Sequence, residues 1–219
     1  MMGAVAECCE PQGYDRVFNH RQAERDAARY RRSGLSWAPR RTVELYRDGV
    51  IAGSTVLEIG GGIGDLQLEL LRAGVTHAVS VELSPAYDVV ARRIVDAAGF
   101  AERTVRLTGD FAHRPELAGP ADVVVMHSVV CCYRDAAQLI GAAAAKARRY
   151  LVVSYPRRTW WLRGWAPVQN LYPRLRGSDF RFYVHPPETI VATAEEAGLR
   201  RVHADRNWVD HLAVFSRSN

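Results

Sequence analysis

The stretch "VLEIGGGIGDLQLELLRAGV", Val56 to Val75, constrains the fold more than any other part of the chain. An apolar run of strand character breaks into four glycines, three of them adjacent, and then resumes with the apolar spacing of a helix. A strand that turns through glycine directly into a helix leaves backbone N–H groups open at the turn. Without Cβ atoms in the way, a ligand approaches them closely.

The same texture continues along the chain. Strands are expected at Thr55–Ile59, Ala78–Glu82, Thr104–Thr108, Ala121–Met126 and Tyr150–Ser154, with helices at about 64–73, 85–98 and 135–148 between them. Alternating strands and helices give a parallel sheet with helices on both faces. The near-continuous apolar runs "DVVVMHSVV" and "YLVVSY" suit strands buried on both sides. After residue 155 a Trp- and Arg-rich segment leads into "HPPETIVATAEEAGLRRV", a helix with proline at its start and Gly198 at its end. "RVHADRNWVDHLAVFSR" then reads as two strands with a short connection, an antiparallel hairpin closing one sheet edge. The expected class is α/β: a Rossmann-like, seven-stranded, mostly parallel sheet with helices on both faces and a C-terminal antiparallel hairpin.

Ahead of this unit, "YDRVFNHRQAERDAARYRRSG" (14–34) is polar and helix-favouring, with Gly34 as its stop, and a second helix is expected at 40–50. Residues 1–50 are therefore expected to form an N-terminal helical lid segment, and residues 51–219 the main domain. A length of 219 residues suits this arrangement.

No apolar run approaches the roughly 18 residues that span a bilayer. The first residues lack a basic stretch followed by a long apolar core. The four cysteines form two vicinal pairs, Cys8–Cys9 and Cys131–Cys132, unlike a secreted disulfide framework. A cytoplasmic location is the expectation. The formal charge of +5 comes mostly from arginines clustered at 25–41 and 157–181. That excess is compatible with nucleic acid, a membrane surface or a small acidic substrate, and does not choose between them.

Counting decides between the ligands of glycine loops. A P-loop requires Lys-Ser or Lys-Thr after its last glycine, and neither follows. A dinucleotide loop counted from Gly60 and Gly62 requires a third glycine where Asp65 stands. The pattern present is an acid followed by glycine at every second position: Glu58, Gly60, Gly62, Gly64. Further along, "VSVELS" places Glu82 at the carboxyl end of the second strand, where a carboxylate can accept both hydroxyl hydrogens of a ribose. "RLTGDF" places Asp110 and Phe111 at the same edge after the third strand.

With these motifs, residues 54–155 resemble the class I S-adenosylmethionine-dependent methyltransferases. The resemblance implies that Glu58 with Gly60, Gly61, Gly62 and Gly64 lies near the methionine end of S-adenosylmethionine. It implies that Glu82, with Leu83 beside it, holds the ribose, that Asp110 bonds the adenine amino group, and that Phe111 packs on the adenine ring.

The methyl of this cofactor is already electrophilic, so the protein must mainly align a nucleophile with it. Such alignment is worth roughly 7–11 kcal/mol in favourable cases. The resemblance puts the segment after the fourth strand, "HSVVCCYRD", beside the transferring methyl. His127 and Tyr133 are the expected catalytic residues, with Cys131 and Cys132 bordering the acceptor. His127 is either a general base, with an ordinary pKa near 6.5, or only a cofactor contact.

The nearest subgroup is the magnesium-protoporphyrin O-methyltransferases, through "GGGIGDLQLELLRAGV", "GDF" and "VVCCYRD" followed by "SYPRRTWW". That subgroup has His-Tyr-Pro after the fourth strand, where this chain has Cys132-Tyr133-Arg134. The expected acceptor is a small molecule methylated on oxygen, a carboxylate or hydroxyl, either porphyrin-like or another anionic aromatic. Its expected contacts are Cys132, Tyr133, an Arg157–Arg158 fork for a carboxylate, and Trp161 as an apolar wall.

Other classes stay open. A nucleic-acid methyltransferase would suit the arginines, but the Asn/Asp-Pro-Pro-Tyr/Phe motif of base methylation is absent. The two cysteine pairs could meet as a thiolate site for a metal or metalloid. Vicinal pairs lack the usual zinc-ligand spacing, and no metal ligand is assigned. A binding module that kept the cofactor pocket without catalysis is the third alternative.

Overall fold

The computed structural model describes residues 14–157 and 180–217. A single helical turn α1 (Tyr14–Val17) and two helices, α2 (His20–Ser33) and α3 (Trp37–Arg47), precede the sheet. The order then runs β1 (Thr55–Ile59), α4 (Asp65–Arg72), β2 (His77–Glu82), α5 (Asp88–Ala97), β3 (Thr104–Thr108) and β4 (Ala121–His127). It continues through α6 (Ala136–Lys146), β5 (Ala147–Pro156), α7 (Pro187–Glu196), β6 (Leu199–Arg206) and β7 (Asp210–Arg217).

The seven strands lie in the order β3-β2-β1-β4-β5-β7-β6. β1 to β5 pair parallel, while β7 runs antiparallel to both β5 and β6. The chain starts its sheet at β1, moves outward to β3, and returns to the other side of β1 with β4. The strand order therefore reverses between β1 and β4, and the crevice above such a point is where open α/β sheets bind ligands.

Alternate residues of each strand enter opposite layers. Val56, Val123, Val125 and Val152 face one apolar layer with Leu45 of α3 and Leu66 and Leu70 of α4. Leu57, Val124, Met126 and Leu151 face the other layer with Leu139 and Ile140 of α6 and Ile190 of α7. Each such fully buried Leu or Ile contributes about 1.5–3 kcal/mol. Apolarity on both faces is what the unbroken runs in the sequence encode.

Differences from the sequence expectation have local causes. The helix expected over 14–34 is broken after Val17, because Asn19 caps α2. Its Oδ1 accepts from Gln22 N at 3.1 Å and its Nδ2 donates to Arg16 O at 2.9 Å. The second helix starts at Trp37 rather than 40, with Pro39 in its first turn, where a missing N–H costs nothing. β5 is ten residues long because its two edges pair at different ends: Ala147 with Ala121 of β4, and Pro156 with Asp210 of β7.

The N-terminal helices are tied to the segments that follow β1 and β2. Ser84 Oγ donates to Phe18 O at 2.6 Å, Tyr87 Oη to Asp26 Oδ2 at 3.0 Å, and Tyr30 Oη to Glu69 Oε1 at 2.6 Å. Ala23 and Ala27, one turn apart on α2, are buried with Ile63, Tyr87 and Val90. Among the described residues, no helix is long and apolar enough to cross a membrane.

Candidate active site

The glycine loop is set by close approach. A Cβ on Gly61 would lie 2.3 Å from Ser80 Oγ and 3.1 Å from Glu58 Oε2. Gly60 has φ +72°, and a Cβ there would meet Val129 Cγ2 at 2.3 Å. Both contacts are too short for any side chain. The loop is closed on its far side by Glu82, whose Oε2 accepts from Gly62 N at 2.8 Å and Oε1 from Ser84 N at 3.0 Å. Burial raises the Glu82 pKa, and the amides of Ser84 and Gly62 work against that rise. Each carboxylate oxygen retains a lone pair for a further donor.

Beneath the loop, one row of the sheet is polar. Glu58 of β1 pairs with Ser80 of β2, and Ser80 with Arg106 of β3. Arg106 Nη2 donates to Gly62 O at 2.8 Å, and its Nε lies 3.4 Å from Asp88 Oδ1. Glu58 Oε2, Ser80 Oγ and Arg106 Nη1 are buried without a hydrogen-bond partner among the described residues. Burial, with Asp65 next, pushes the Glu58 pKa well up, and Arg106 opposes it. Arg106 is thus the counter-charge to the acids around the loop. No sequence motif marked it, only its place as a charged residue inside a strand.

A cavity of about 350 Å³ extends from this loop, bounded by Glu58, Gly60, Gly61, Gly62 and Glu82 on one side. Tyr14, Phe18, Asp26 and Arg29 of α1 and α2 and their linker roof it, and Trp37 and Pro39 of α3 border it. It is bordered as well by His127 at the end of β4, by Ser128 after it, and by Asp210 at the start of β7. Ser128 holds φ +58°, a left-handed backbone in a residue with a Cβ, and such strain concentrates at functional sites.

His127 is fixed by the N-terminal segment. Thr42 Oγ1 of α3 lies 2.9 Å from His127 Nε2 and also donates to Ala38 O at 3.1 Å. A hydroxyl has one hydrogen, so both contacts are satisfied only when Nε2 carries the proton. Nδ1 is then a bare acceptor, and it has no partner among the described residues. Burial pushes the His127 pKa down to about 3, so the ring is neutral at pH 7.

The remaining expected residues divide. Leu83 follows Glu82 and is half-buried. Asp110 Oδ1 accepts from Ala112 N and from Tyr133 Oη, both at 3.0 Å, and its Oδ2 lies 2.9 Å from His113 Nδ1. The Phe111 side chain is fully buried in the core. Tyr133 therefore meets Asp110, and neither it nor Asp110 lines the cavity that reaches His127. Cys131 and Cys132 are buried and point their thiols at Ser128 O, at 3.3 and 3.7 Å. Arg157 donates its Nη1 to Asn207 O at 2.9 Å and does not border the cavity. Arg158, Trp161, Cys8 and Cys9 lie outside the described residues. Among the described residues, no group of three His, Cys, Asp or Glu side chains could hold a metal. Arg29, Trp37, Thr42 and Asp210 were not marked by any motif. Of these only Arg29 had a signal, the buried Ala23–Ala27 stripe of the helix that carries it.

With this geometry in view, comparisons place the chain. The methyltransferase domain family matches residues 27–204. An arginine N(omega)-methyltransferase of Streptomyces achromogenes subsp. streptozoticus is 33% identical over 114 residues, 50% of this chain and 32% of that protein. The chain thus spans about a third of the length of that curated relative. Among solved structures, magnesium protoporphyrin IX methyltransferase from Synechocystis PCC 6803, with bound S-adenosylhomocysteine, superposes with a TM-score of 0.70 at 22% identity, covering 93% of this chain and 97% of that one. An O-methyltransferase family protein from Burkholderia thailandensis gives 0.68 at 21% identity, covering 93% and 64%. At these identities the likeness is one of fold. The chain belongs to the methyltransferase domain family.

Proposed function

We propose that this S-adenosylmethionine-dependent methyltransferase holds cofactor and a small-molecule acceptor together in the cavity beneath its N-terminal helices, and methylates an oxygen of that acceptor. The observation that carries the proposal is the continuity of the cavity, from Glu58, the glycines and Glu82 to His127 and Asp210. Glu58 and Glu82, two carboxylates that border it, suit a ligand rich in polar atoms. Glu82, with Leu83 next to it, is placed to hold the ribose. Glu58 and Gly60 to Gly64 hold the methionine end, and the adenine extends past this cavity toward Asp110 and Phe111 after β3.

When bound, S-adenosylmethionine supplies the electrophilic methyl. The chain supplies position and shelter. Residues 14–47 act as a lid that excludes water. Among the described residues, Arg29 is the sole Lys or Arg bordering the cavity, and it meets a carboxylate. His127, neutral and held by Thr42, offers Nδ1 as an acceptor that orients an acceptor hydroxyl. Tyr133 acts through Asp110, keeping that carboxylate in place.

A porphyrin-like or other anionic aromatic acceptor rests on the fold likeness alone, and Arg157 is engaged elsewhere. A nitrogen acceptor is the second reading, favoured by the 33% identity with the arginine methyltransferase over 114 residues. Calorimetric titration with S-adenosylmethionine tests the cofactor. Mass spectrometry with methyl-deuterated cofactor and a panel of phenols, carboxylates and guanidines tests the acceptor atom. Absence of cofactor binding removes the proposal.

A further inference from the structure

We propose that the end of the cavity remote from the glycine loop is a subsite for a positively charged group on the acceptor, an ammonium or guanidinium, held by Asp210 and the indole of Trp37. The inference rests on the methyl-transfer reading and narrows its substrate class.

Sheet register places the carboxylate. His127 of β4 pairs with Ser154 of β5, and Ser154 with Leu212 of β7. Asp210 pairs with Pro156, two residues further along β5. Two residues preserve the face of a strand and advance it by about 7 Å. Asp210 therefore lies on the same sheet face as His127, one step further toward the carboxyl ends of the parallel strands, and both border the cavity. The backbone at Asp210 is clamped, since Asn207 Oδ1 accepts from both Val209 N and Asp210 N, at 2.8 and 2.6 Å.

Asp210 has an anion's position without a cation's company. Among the described residues its carboxylate has no ion pair, and no hydrogen bond to it is found. Burial raises its pKa and is the sole cause of that rise. Arg157, one residue past its strand partner, donates to Asn207 O instead. The other acids bordering the cavity are committed. Glu58, Asp65 and Glu82 surround the glycine loop, and Asp26 receives Tyr87 Oη. The amino end of α3 brings at most roughly half a positive charge to this region, against one full carboxylate. An anionic group would meet net repulsion there, whereas a cation would find a carboxylate and, in Trp37, an aromatic face that attracts cations.

The test uses the full chain loaded with S-adenosylhomocysteine and titrated with agmatine, phenethylamine and phenylacetate. The expected result is that the two cations bind at least tenfold more tightly than phenylacetate. Asp210→Asn abolishes that preference while S-adenosylhomocysteine affinity, which reports folding, stays within threefold. Trp37→Leu weakens both cations at least threefold and provides an independent reading should the first variant fail to fold. The proposal is overturned if neither cation binds the loaded wild type, or if the preference survives both substitutions. Failure of the wild type to take up S-adenosylhomocysteine instead removes the methyl-transfer reading, and the subsite with it.

Discussion

Tyr133 donates its phenolic hydrogen to Asp110 Oδ1 across 3.0 Å, with both side chains almost wholly removed from solvent. Burial, followed by the adjacent Asp110 charge, pushes the Tyr133 pKa far above its ordinary value, so the hydroxyl stays protonated and remains a donor. Six residues after His127, Tyr133 is turned to Asp110 and does not border the cavity that His127 lines. The 3₁₀ turn Val130–Cys132 separates the two, and Cys132 N bonding to Val129 O closes that turn.

Tyr133→Phe removes the donor and leaves a buried carboxylate short of one hydrogen bond. A bond to a charged group is worth about 1.5–3 kcal/mol. Urea unfolding should show a stability loss of that size with an unchanged m-value. A neutral substitution would mean that water replaces the hydroxyl and that Asp110 does not depend on it.

Glu82→Ala should weaken S-adenosylmethionine binding ten- to a hundredfold, equivalent to about 1.5–3 kcal/mol. It removes the proposed ribose acceptor and also orphans the amides of Gly62 and Ser84. Glu82→Gln keeps the side-chain oxygen for one amide and should recover part of the loss. Calorimetry on both variants checks this, and equal affinity for wild type and Glu82→Ala would exclude the ribose role.

How far these residues were legible in the sequence depends on how local their signals are. The glycine loop, Glu82 and Asp110 sit at the ends of short, Val-rich strands of five to seven residues, so strand, turn and carboxylate were readable together. β5 was read too short because its ends are decided by neighbours, Ala121 on one side and Asp210 on the other. Thr42 meets His127 from 85 positions away. Asp210 looks like an ordinary turn acid in "NWVDH" until the antiparallel register brings it over the sheet face of His127. Periodicity carries no information about such meetings.

Arg29→Gln should weaken S-adenosylmethionine and S-adenosylhomocysteine at least tenfold, but leave methylthioadenosine, which lacks the amino-acid carboxylate, within twofold. The reason is charge. Among the described residues, Arg29 is the one Lys or Arg bordering the cavity, beside five acids: Asp26, Glu58, Asp65, Glu82 and Asp210. A bound carboxylate there needs a cation. Equal weakening of all three ligands would instead mark Arg29 as a support of the α2 roof.

His127 gives a pH signature whose sign follows from its environment. Burial lowers its pKa from an ordinary value near 6.5 to about 3 in the folded chain. Between those values the unfolded chain binds the proton and the folded chain does not, so stability falls as pH drops through this window. From pH 7 to pH 5 the loss from this one group should reach up to about 2 kcal/mol. His127→Gln keeps an amide N–H for Thr42 and carries no titrating ring. The difference in unfolding free energy between wild type and variant should therefore shrink on acidification. Urea unfolding at pH 7, 6 and 5 measures it. A difference that is flat across the three pH values would show that His127 titrates normally, leaving it free to serve as a base.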